Sequence, residues 1–315
     1  MKVTRALPFR PLCHLLPARL AGLSIALLKA TALELTILAG HLLLYPSGIL
    51  PERPDRRHPA ALPAKSSPDL DPDLPEGPDL QVGPDPQDSE PLADAPRLPT
   101  PDRSPVLLLH GFIDNRSIFV LLRRSLAQHG RHPVESLNYS PLTCDIRTAA
   151  ALLARHVEEL CERTGQERID IVGHSLGGLI ARYYVQCLGG DRHVRTLVTL
   201  GTPHGGTSVA PLADAHPIVR QMRPGSSVVE ELKRPAPGCR TRFVSFWSDL
   251  DQLMVPVETA CVDHPDLIAQ NVRVTGIGHL ALPVHPAVAT GIRQALDAEP
   301  ASGARAGSVG GLTVA

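Results

Sequence analysis

The strongest sign of chemistry in the sequence is a serine placed between two glycines, in residues 173–177, which read Gly-His-Ser-Leu-Gly. Residues 168–172 before it have the β-branched character of a strand, and residues 179–186 after it are typical of a helix. A serine at such a sharp strand-to-helix corner has a strained backbone, which holds its hydroxyl clear of the sheet. Only glycine fits where the chain closes in on either side of the corner. The pattern therefore predicts that Ser175 is a nucleophile.

Histidines and acids follow other predicted strands in the same way. A strand-like run precedes each of three further loops, at residues 110–112, 248–256 and 276–280. Because the carboxyl ends of parallel strands meet at one edge of a sheet, these loops are expected to lie beside the serine, at the edge where α/β proteins place their chemistry. Serine, acid and histidine occur in that order along the chain.

Strands and helices are predicted in alternation across residues 105–299. Residues 106–109 form an unbroken apolar run, which is typical of a strand buried on both faces of a parallel sheet. Further strands are predicted at residues 134–139, 169–172, 194–200, 243–247 and 272–275, and a closing helix at residues 286–296. Such alternation predicts an α/β domain with a mostly parallel, doubly wound sheet. Residues 203–240 separate two of the strands and predict a small cap, with helices at residues 211–222 and 227–232.

The loops together resemble those of the α/β-hydrolase superfamily, and within it those of the bacterial triacylglycerol lipases and esterases. The shared motifs are His-Gly after the first core strand, Gly-His-Ser-x-Gly at the corner and Gly-x-Gly-His near the end, and the resemblance covers residues 105–296. It implies the α/β-hydrolase fold, with Ser175 as the nucleophile and His279 as the general base. The acid loop reads Asp-Gln-Leu-Met-Val-Pro, which places Asp251 at the acidic position of the family motif.

The resemblance also implies how the oxyanion of the reaction is stabilised. The backbone N–H groups of Phe112 and Leu176 match the positions that form the oxyanion hole in this superfamily. The motif residues that support these positions are His110, Gly111, Gly173, His174 and Gly177. The chemistry implied by the resemblance uses neither a metal nor a cofactor.

Two assignments stay open within these loops. Asp249 is an alternative acid, because it shares one short loop with Asp251. His264 and His285 are alternatives to His279, although neither directly follows a strand in a glycine turn. The histidines interpreted as structural are His110, His174, His204 and His285.

These residues predict a serine carboxylic ester hydrolase of lipase or esterase type, which forms an acyl-enzyme on a lipid or small ester substrate. Apolar residues of the same loops predict an apolar acyl pocket: Phe112, Ile113, Leu253, Met254, Leu280 and Leu282. An acyltransferase or thioesterase with the same residues is an alternative, and so is an inactive hydrolase fold that serves as a binding module.

The composition argues against other classes of function. With 315 residues and a net charge of -1, the chain has no bulk attraction to nucleic acid. The six cysteines include no Cys-x-x-Cys pair and no metal-ligand spacing, so neither a zinc site nor a redox motif is expected. Cys239 and Cys261 flank the acid loop and are candidates for a disulfide if the domain is exported.

Residues 1–50 have a different character from the domain. A basic start is followed by an apolar stretch at residues 20–50, which Lys29, Glu34 and His41 interrupt. This arrangement resembles a signal-anchor sequence and predicts an exported protein that is attached to a membrane by residues 20–50, with a cytoplasmic location as the alternative. A helical hairpin packed on the catalytic domain or on a second subunit accounts for the pattern equally well. Polar residues share one narrow stripe of the helical wheel: Ser24, Thr31, Glu34 and His41.

Residues 51–104 and residues 300–315 are predicted to be disordered. The stretch from Pro46 to Pro105 contains 16 of the 32 prolines, so the catalytic domain must begin after it. Rich in Pro and Asp and almost without aromatic or β-branched residues, this stretch cannot bury enough apolar surface to fold, and it is expected to act as a tether. The closing segment is composed mainly of Gly, Ala and Ser.

Overall fold

The computed structural model of the protein describes residues 18–49, 103–139, 145–209, 216–298 and 309–312. Nearly all of the predicted linker, and most of the predicted tail, lie outside these residues. Cys239 and Cys261 are described, and both are free thiols rather than a disulfide.

Among the described residues a single sheet of seven parallel strands organises the domain, in the order β2-β1-β3-β4-β5-β6-β7. The strands are β1 (Val106–Leu109), β2 (Val134–Leu137), β3 (Ile169–His174), β4 (Val194–Leu200), β5 (Arg242–Ser248), β6 (Ile268–Val274) and β7 (Val309–Leu312). The order steps outward from β1 in both directions, which is the doubly wound arrangement expected from the alternation of strands and helices. The predicted α/β class and parallel sheet are confirmed.

Helices cover both faces of this sheet. Beyond the N-terminal helix α1 (Ala18–Ile49), they are α2 (Val120–Gln128), α3 (Ile146–Thr164), α4 (Leu176–Cys187), α5 (Pro217–Gln221), α6 (Ser227–Glu231) and α7 (Pro286–Asp297). Side chains of β1 alternate between the two faces: Leu107 and Leu109 pack with α3 and α4, whereas Val106 and Leu108 pack with α2 and α7. Because both faces are covered, the strand is apolar at every position. The short helices α5 and α6 lie within the predicted cap.

The strand that leads to Ser175 is held by a buried ion-pair network. Asp170, in β3, is fully buried and lies 2.8 Å from the Arg131 guanidinium and 2.5 Å from that of Arg195. Arg131 precedes β2 and Arg195 lies in β4, so the network ties β3 to its surroundings at the end remote from the serine. Breaking such a network leaves buried charges unpaired at a cost of about 3–5 kcal/mol, which fixes the strand firmly.

Two features at the β6 edge of the sheet differ from the sequence predictions. Strand β6 begins at Ile268 rather than at residue 272. Its first four residues are exposed or half-buried and lack the apolar run of a buried strand, so the sequence pattern did not indicate them. Residues 309–312, predicted to belong to a disordered tail, instead form β7 and pair in parallel with β6 from Asn271 to Val274. An edge strand leaves a row of unpaired backbone groups, and β7 satisfies those of β6.

The N-terminal apolar stretch forms one helix rather than a hairpin. Between Leu20 and Tyr45 the sequence has no Pro, Asn or Asp to make a turn, so α1 continues without a break through residues 18–49. One face packs on the domain that contains the sheet: the Gln252 side-chain amide donates to the Thr31 hydroxyl at 3.0 Å, and the Asn115 amide donates to the Tyr45 carbonyl at 2.8 Å. Of the predicted polar stripe, Thr31, Glu34 and His41 thus face protein.

Much of the remaining surface of α1 is apolar and exposed. The exposed large residues of this helix are Ile25, Leu27, Leu28, Leu33, Leu35, Leu42, Leu43, Leu44 and Tyr45. The segment Leu27–Pro46 has a mean hydropathy of 1.5 over 20 residues, and by length and composition it is able to cross a membrane.

Candidate active site

The corner at Ser175 has the backbone strain that the glycine-serine pattern predicts. Ser175 has φ 51° and ψ -119°, and it is the only residue other than glycine with a positive φ in the described parts of the chain. Its backbone N–H donates to the Leu200 carbonyl of β4 at 2.8 Å. The structure therefore holds the serine in an unfavourable conformation between β3 and α4, which is a common property of functional sites.

Glycines on both sides of Ser175 allow the chain to close around the corner. A Cβ atom on Gly173 would lie 2.5 Å from the Gly178 nitrogen, and one on Gly177 would overlap the carbonyl groups of Leu109 and His110. No side chain fits at either position. Close contact between α4 and the end of β1 brings Ser175 beside the loop that begins at His110.

His279 and Asp251 lie side by side at the same sheet edge. The His279 Nδ1 atom is 2.7 Å from the Asp251 Oδ2 atom, and both side chains are buried. The other Asp251 oxygen accepts the backbone N–H groups of Leu253 at 2.9 Å and Met254 at 3.1 Å. An Nδ1 atom that faces a carboxylate carries the proton, so the Nε2 atom is left as the basic nitrogen of His279.

The surroundings of His279 favour its protonated form. Burial alone would lower the pKa of His279, but the charge and hydrogen bond of Asp251, followed by the charges of Glu34 and Asp114, outweigh it and raise the pKa above its usual value of 6.5. A stabilised imidazolium makes His279 an effective acceptor for a proton from a hydroxyl group.

The alternative acid and bases have other partners. Asp249 pairs with Arg273 of β6, with 2.9 Å between the carboxylate and the guanidinium. His264 lies 2.9 Å from the Arg234 carbonyl oxygen. His285 caps α7, where its ring accepts the Ala287 N–H at 3.2 Å. These contacts are typical of structural residues.

A second histidine–aspartate pair lies beside the first. The His174 Nδ1 atom is 2.9 Å from the Asp114 Oδ2 atom, and its Nε2 atom is 3.3 Å from the His279 carbonyl oxygen. Burial opposes the charged form of Asp114, but the charge and hydrogen bond of His174 outweigh it and lower the pKa of this carboxyl. Asp114 was missed by the sequence reasoning, although it is the only acid in its strand-to-helix loop. His174 is structural in the sense that it orients the turn of His279.

His110 and His204 also have structural surroundings. The His110 ring stacks on Tyr139 with 4.3 Å between ring centroids, and its Nδ1 atom is 2.9 Å from the Gly111 carbonyl oxygen. His204 is buried 3.0 Å from the Thr199 hydroxyl, and burial holds its pKa well below the usual value. Neither ring lines the cavity described next.

Ser175 and His279 both line one cavity of about 230 Å³. Its walls are mainly apolar and comprise Gly111, Phe112, Ile113, Asp114, His174, Ser175, Pro203, Thr207, Val209, Val219, Met222, Leu253, Met254, His279 and Leu280. All the apolar residues predicted for this pocket are present except Leu282, which is fully buried in the core beneath it. Within the described residues, Ser175 and His279 form no hydrogen bond with each other. Hydrogen bonds between catalytic groups often form only when substrate binds.

Two backbone N–H groups beside Ser175 are free to bind an anion. Leu176 begins α4, where the N–H groups of the first turn have no partner within the helix and the helix dipole favours negative charge. Neither the Leu176 N–H nor the Phe112 N–H donates to any acceptor among the described residues. Both are the groups that the resemblance predicts for an oxyanion hole.

The described residues contain no group of three or more His, Cys, Asp or Glu side chains placed to hold a metal ion. The site described above comprises a serine, a histidine paired with a carboxylate, and backbone N–H groups.

Comparison with known proteins supports the α/β-hydrolase fold. Residues 104–233 match the family described as the alpha/beta hydrolase fold. This match includes the corner at Ser175 and the loop at His110, and it ends before Asp251 and His279.

Two triacylglycerol lipases, from Pseudarthrobacter phenanthrenivorans and Burkholderia plantarii, are each 29% identical to the chain over 116 residues. The alignments cover 34% of this chain and 35% and 32% of the respective lipases, so the chain matches about a third of the length of these curated relatives.

Solved structures share the fold at low sequence identity. A Bacillus licheniformis lipase in its mature form superposes with a TM-score of 0.54 and 16% identity, over 64% of this chain and 96% of that one. Aspergillus fumigatus lipase B gives a TM-score of 0.55 and 14% identity, over 63% of this chain and 53% of that one.

Proposed function

Because the chain has the α/β-hydrolase fold and resembles the bacterial triacylglycerol lipases and esterases, we propose that it is a serine hydrolase that cleaves carboxylic esters of apolar acyl chains. The observation that carries the proposal is the 2.7 Å contact between His279 and Asp251, in a mainly apolar cavity that Ser175 also lines. The fold and the resemblance support hydrolysis in general, and these three side chains support the serine ester chemistry that we propose.

The reaction begins with Ser175, whose hydroxyl is a weak nucleophile at neutral pH. The Nε2 atom of His279 accepts the hydroxyl proton as the oxygen attacks the ester carbonyl carbon, and Asp251 stabilises the imidazolium that forms. Collapse of the tetrahedral intermediate breaks the bond to the leaving alkoxide, which takes the proton from His279. Water then attacks the acyl-enzyme with the help of the same base, and release of the acid regenerates the Ser175 hydroxyl.

The backbone N–H groups of Phe112 and Leu176 would stabilise the oxyanion of each tetrahedral intermediate. Since these donors belong to the main chain and are fixed before substrate binds, they need no reorganisation during the reaction. Loss of one such donor costs about 3–4 kcal/mol in a comparable site. Side-chain changes at these positions are therefore expected to alter substrate fit more than chemistry.

Thioester cleavage or acyl transfer to an alcohol would use the same three side chains. The walls of the cavity favour an apolar acyl group, but they do not by themselves distinguish an oxygen ester from a thioester or water from an alcohol acceptor. The rates for these substrates decide between the candidates.

With purified protein we expect hydrolysis of p-nitrophenyl esters, with kcat/KM rising by up to about fourfold for each added acyl methylene until the cavity is filled. Acyl-thioesters are expected to react more slowly, and added alcohols to divert only a small part of the acyl group. A preference for thioesters, or predominant transfer to the alcohol, would replace the proposed activity with one of the alternatives. No reaction with any of these substrates would favour a binding module.

We also propose that the protein is attached to a membrane through α1. Large side chains on its outer face are highly exposed, among them Leu28 at 71%, Leu35 at 62% and Leu43 at 82%. A helix with one face packed on protein and the other face apolar lies in the membrane interface rather than across the bilayer. The basic start of the chain favours attachment on export.

Flotation with phospholipid vesicles tests this attachment. The full-length protein is expected to float with the vesicles, and the combined variant Leu28→Gln, Leu35→Gln and Leu43→Gln to remain in the soluble fraction. The matched control is the combined variant Val120→Gln and Leu121→Gln. These two side chains are 54% and 60% exposed outside α1, and the control should float like the wild type. Full-length wild type that stays soluble, both with vesicles and on cell fractionation, would contradict the proposal.

A further inference from the structure

The carboxylate of Glu34, on the inner face of α1, binds the turn that carries His279. Its Oε2 atom accepts the backbone N–H of Leu280 at 2.8 Å, and its Oε1 atom accepts the backbone N–H of Ala281 at 3.0 Å. These are the two residues that directly follow His279. Each carboxylate oxygen therefore holds one peptide group of the turn.

Gly278, on the other side of His279, leaves room for this contact. A Cβ atom at Gly278 would lie 2.6 Å from the Glu34 carboxyl carbon, which is closer than real Cβ contacts come. The Glu34 carboxylate thus packs against the backbone at Gly278, before His279, and accepts hydrogen bonds from the backbone after it.

The remaining contacts of the turn do not replace Glu34. Asp251 binds the His279 ring at Nδ1, and His174 faces the His279 carbonyl oxygen at 3.3 Å. The Ser248 hydroxyl donates to the Ile277 carbonyl at 2.5 Å, before His279. None of these contacts reaches the peptide N–H groups that follow His279. Hydrogen bonds from N–H groups to a carboxylate are about twice as strong as bonds between neutral groups, so Glu34 makes the strongest of the contacts to the backbone of the turn.

We infer that Glu34 is a positioning residue for His279, and that this contact makes α1 part of the active site. The inference rests on the proposed function for its effect on catalysis. A displacement of a reacting group by 1 Å costs about 100-fold in rate, and a turn released from Glu34 would allow such a displacement.

This role explains why an acid interrupts the apolar stretch. A glutamate at the centre of a membrane-spanning helix would oppose insertion by about 3 kcal/mol. In the structure Glu34 faces the catalytic domain rather than lipid, and it satisfies two backbone groups there. The same helix thus combines a polar inner face that serves the site with an apolar outer face.

Charge adds to the geometric role. The charged or titratable groups that act on His279 are Asp251, Glu34 and Asp114, all of which raise its pKa, with the His174 ring 4.8 Å away between centroids. Removal of the Glu34 charge should therefore lower the pKa of His279. The base would then become protonated only at a lower pH, and the acid limb of the pH–rate profile would move to lower pH.

The test compares Glu34→Ala and Glu34→Gln with a matched control, Thr31→Val, which removes a neighbouring contact of α1 without a change of charge. Glu34→Ala is expected to lower kcat by about 10- to 100-fold with little change in KM. Glu34→Gln should lose less, because its amide oxygen still accepts one N–H. Both Glu34 variants should move the acid limb to lower pH, whereas Thr31→Val should keep the wild-type rate and profile.

The variant Gly278→Ala disrupts the contact between Glu34 and the turn in a second way. The added methyl group would push the flexible Glu34 side chain away, so this variant should reproduce the loss of kcat seen in Glu34→Ala. In the double variant the two losses should not add, because both remove one interaction. Fully additive losses would mean that Gly278 acts independently of Glu34.

A titration of the His279 ring followed by NMR separates this inference from the proposed function. The ring signal is assigned by its absence in His279→Gln, and its pKa should fall in Glu34→Gln whether or not the protein hydrolyses esters. An unreactive wild type would defeat the proposed function, yet the titration would still decide the role of Glu34. An unchanged His279 pKa, or a Glu34→Ala variant with wild-type kcat and pH profile, overturns the inference.

Discussion

Replacement of Ser175 by alanine is expected to lower kcat for ester hydrolysis by about 10⁴- to 10⁶-fold without loss of the fold. The serine oxygen is the only atom of the protein that bonds to the acyl group in the proposed mechanism, so its removal eliminates the acyl-enzyme route. A residual rate above that of the reaction in water would remain, because the oxyanion donors of the backbone are still present. The strain at φ 51° arises from the Cβ atom, which alanine retains, so the stability should change little.

Labelling with a fluorophosphonate probe measures this effect directly, since the probe reacts with an activated serine. Wild type should be labelled at Ser175 and the alanine variant should not. Ser208→Ala is a suitable control, because Ser208 is exposed and does not line the cavity, although Thr207 and Val209 on either side of it do. This variant should be labelled like the wild type. Equal hydrolysis by wild type and Ser175→Ala would refute the proposed function.

The second large effect is expected for Asp251→Asn, which should lower kcat by about 10⁴-fold. The amide keeps the size of the carboxylate but removes its charge, and its N–H₂ group would face the His279 Nδ1 atom and favour the wrong tautomer. Without Asp251 the main partner that offsets the burial of His279 is lost, so the pKa of His279 should also fall.

Asp249→Asn is the matched control for this acid. Both residues lie in one loop, but Asp249 pairs with Arg273 at the surface and should tolerate the change with kcat within about twofold of wild type, since exposed ion pairs are worth about 0–1 kcal/mol. The two variants can be compared with one ester substrate under identical conditions. A larger loss for Asp249→Asn than for Asp251→Asn would reverse the assignment of the acid.

The choice between these two acids shows where reasoning from the sequence ends. The loop and its position after a strand are visible in the residues, because buried parallel strands are apolar and end at one edge. Which acid turns toward His279 depends on Arg273, a residue of the neighbouring strand β6. The register pairs Arg273 with Trp247, just before the loop, and no local pattern reveals that pairing.

Glu34 and Asp114 mark a second limit. Glu34 is visible as a polar interruption on one stripe of a helix, and that stripe was correctly expected to differ from the rest of the surface. Its target lies 246 residues further along the chain, and helical periodicity carries no information about such a partner. Asp114 follows a recognised motif, but its contact is with His174, in a loop that only the fold brings near.

The start of β6 and the whole of β7, at one edge of the sheet, could not be predicted from the sequence. Inner strands such as β1 can be recognised by unbroken apolar runs, whereas the first four residues of β6 are exposed or half-buried and lack such a run. The polar residues at the start of β6 and the two glycines of β7 give weak local signals, and their pairing follows from the open edge of the sheet.

The contact of Glu34 with Leu280 has a consequence for the order in which the protein matures. During synthesis α1 leaves the ribosome before the turn that it holds, which emerges 246 residues later, after nearly all of the sheet. On the inference that Glu34 positions His279, the base acquires its final position only when that turn has folded against α1. A chain released early would carry Ser175 on a folded corner but would have no base to activate it.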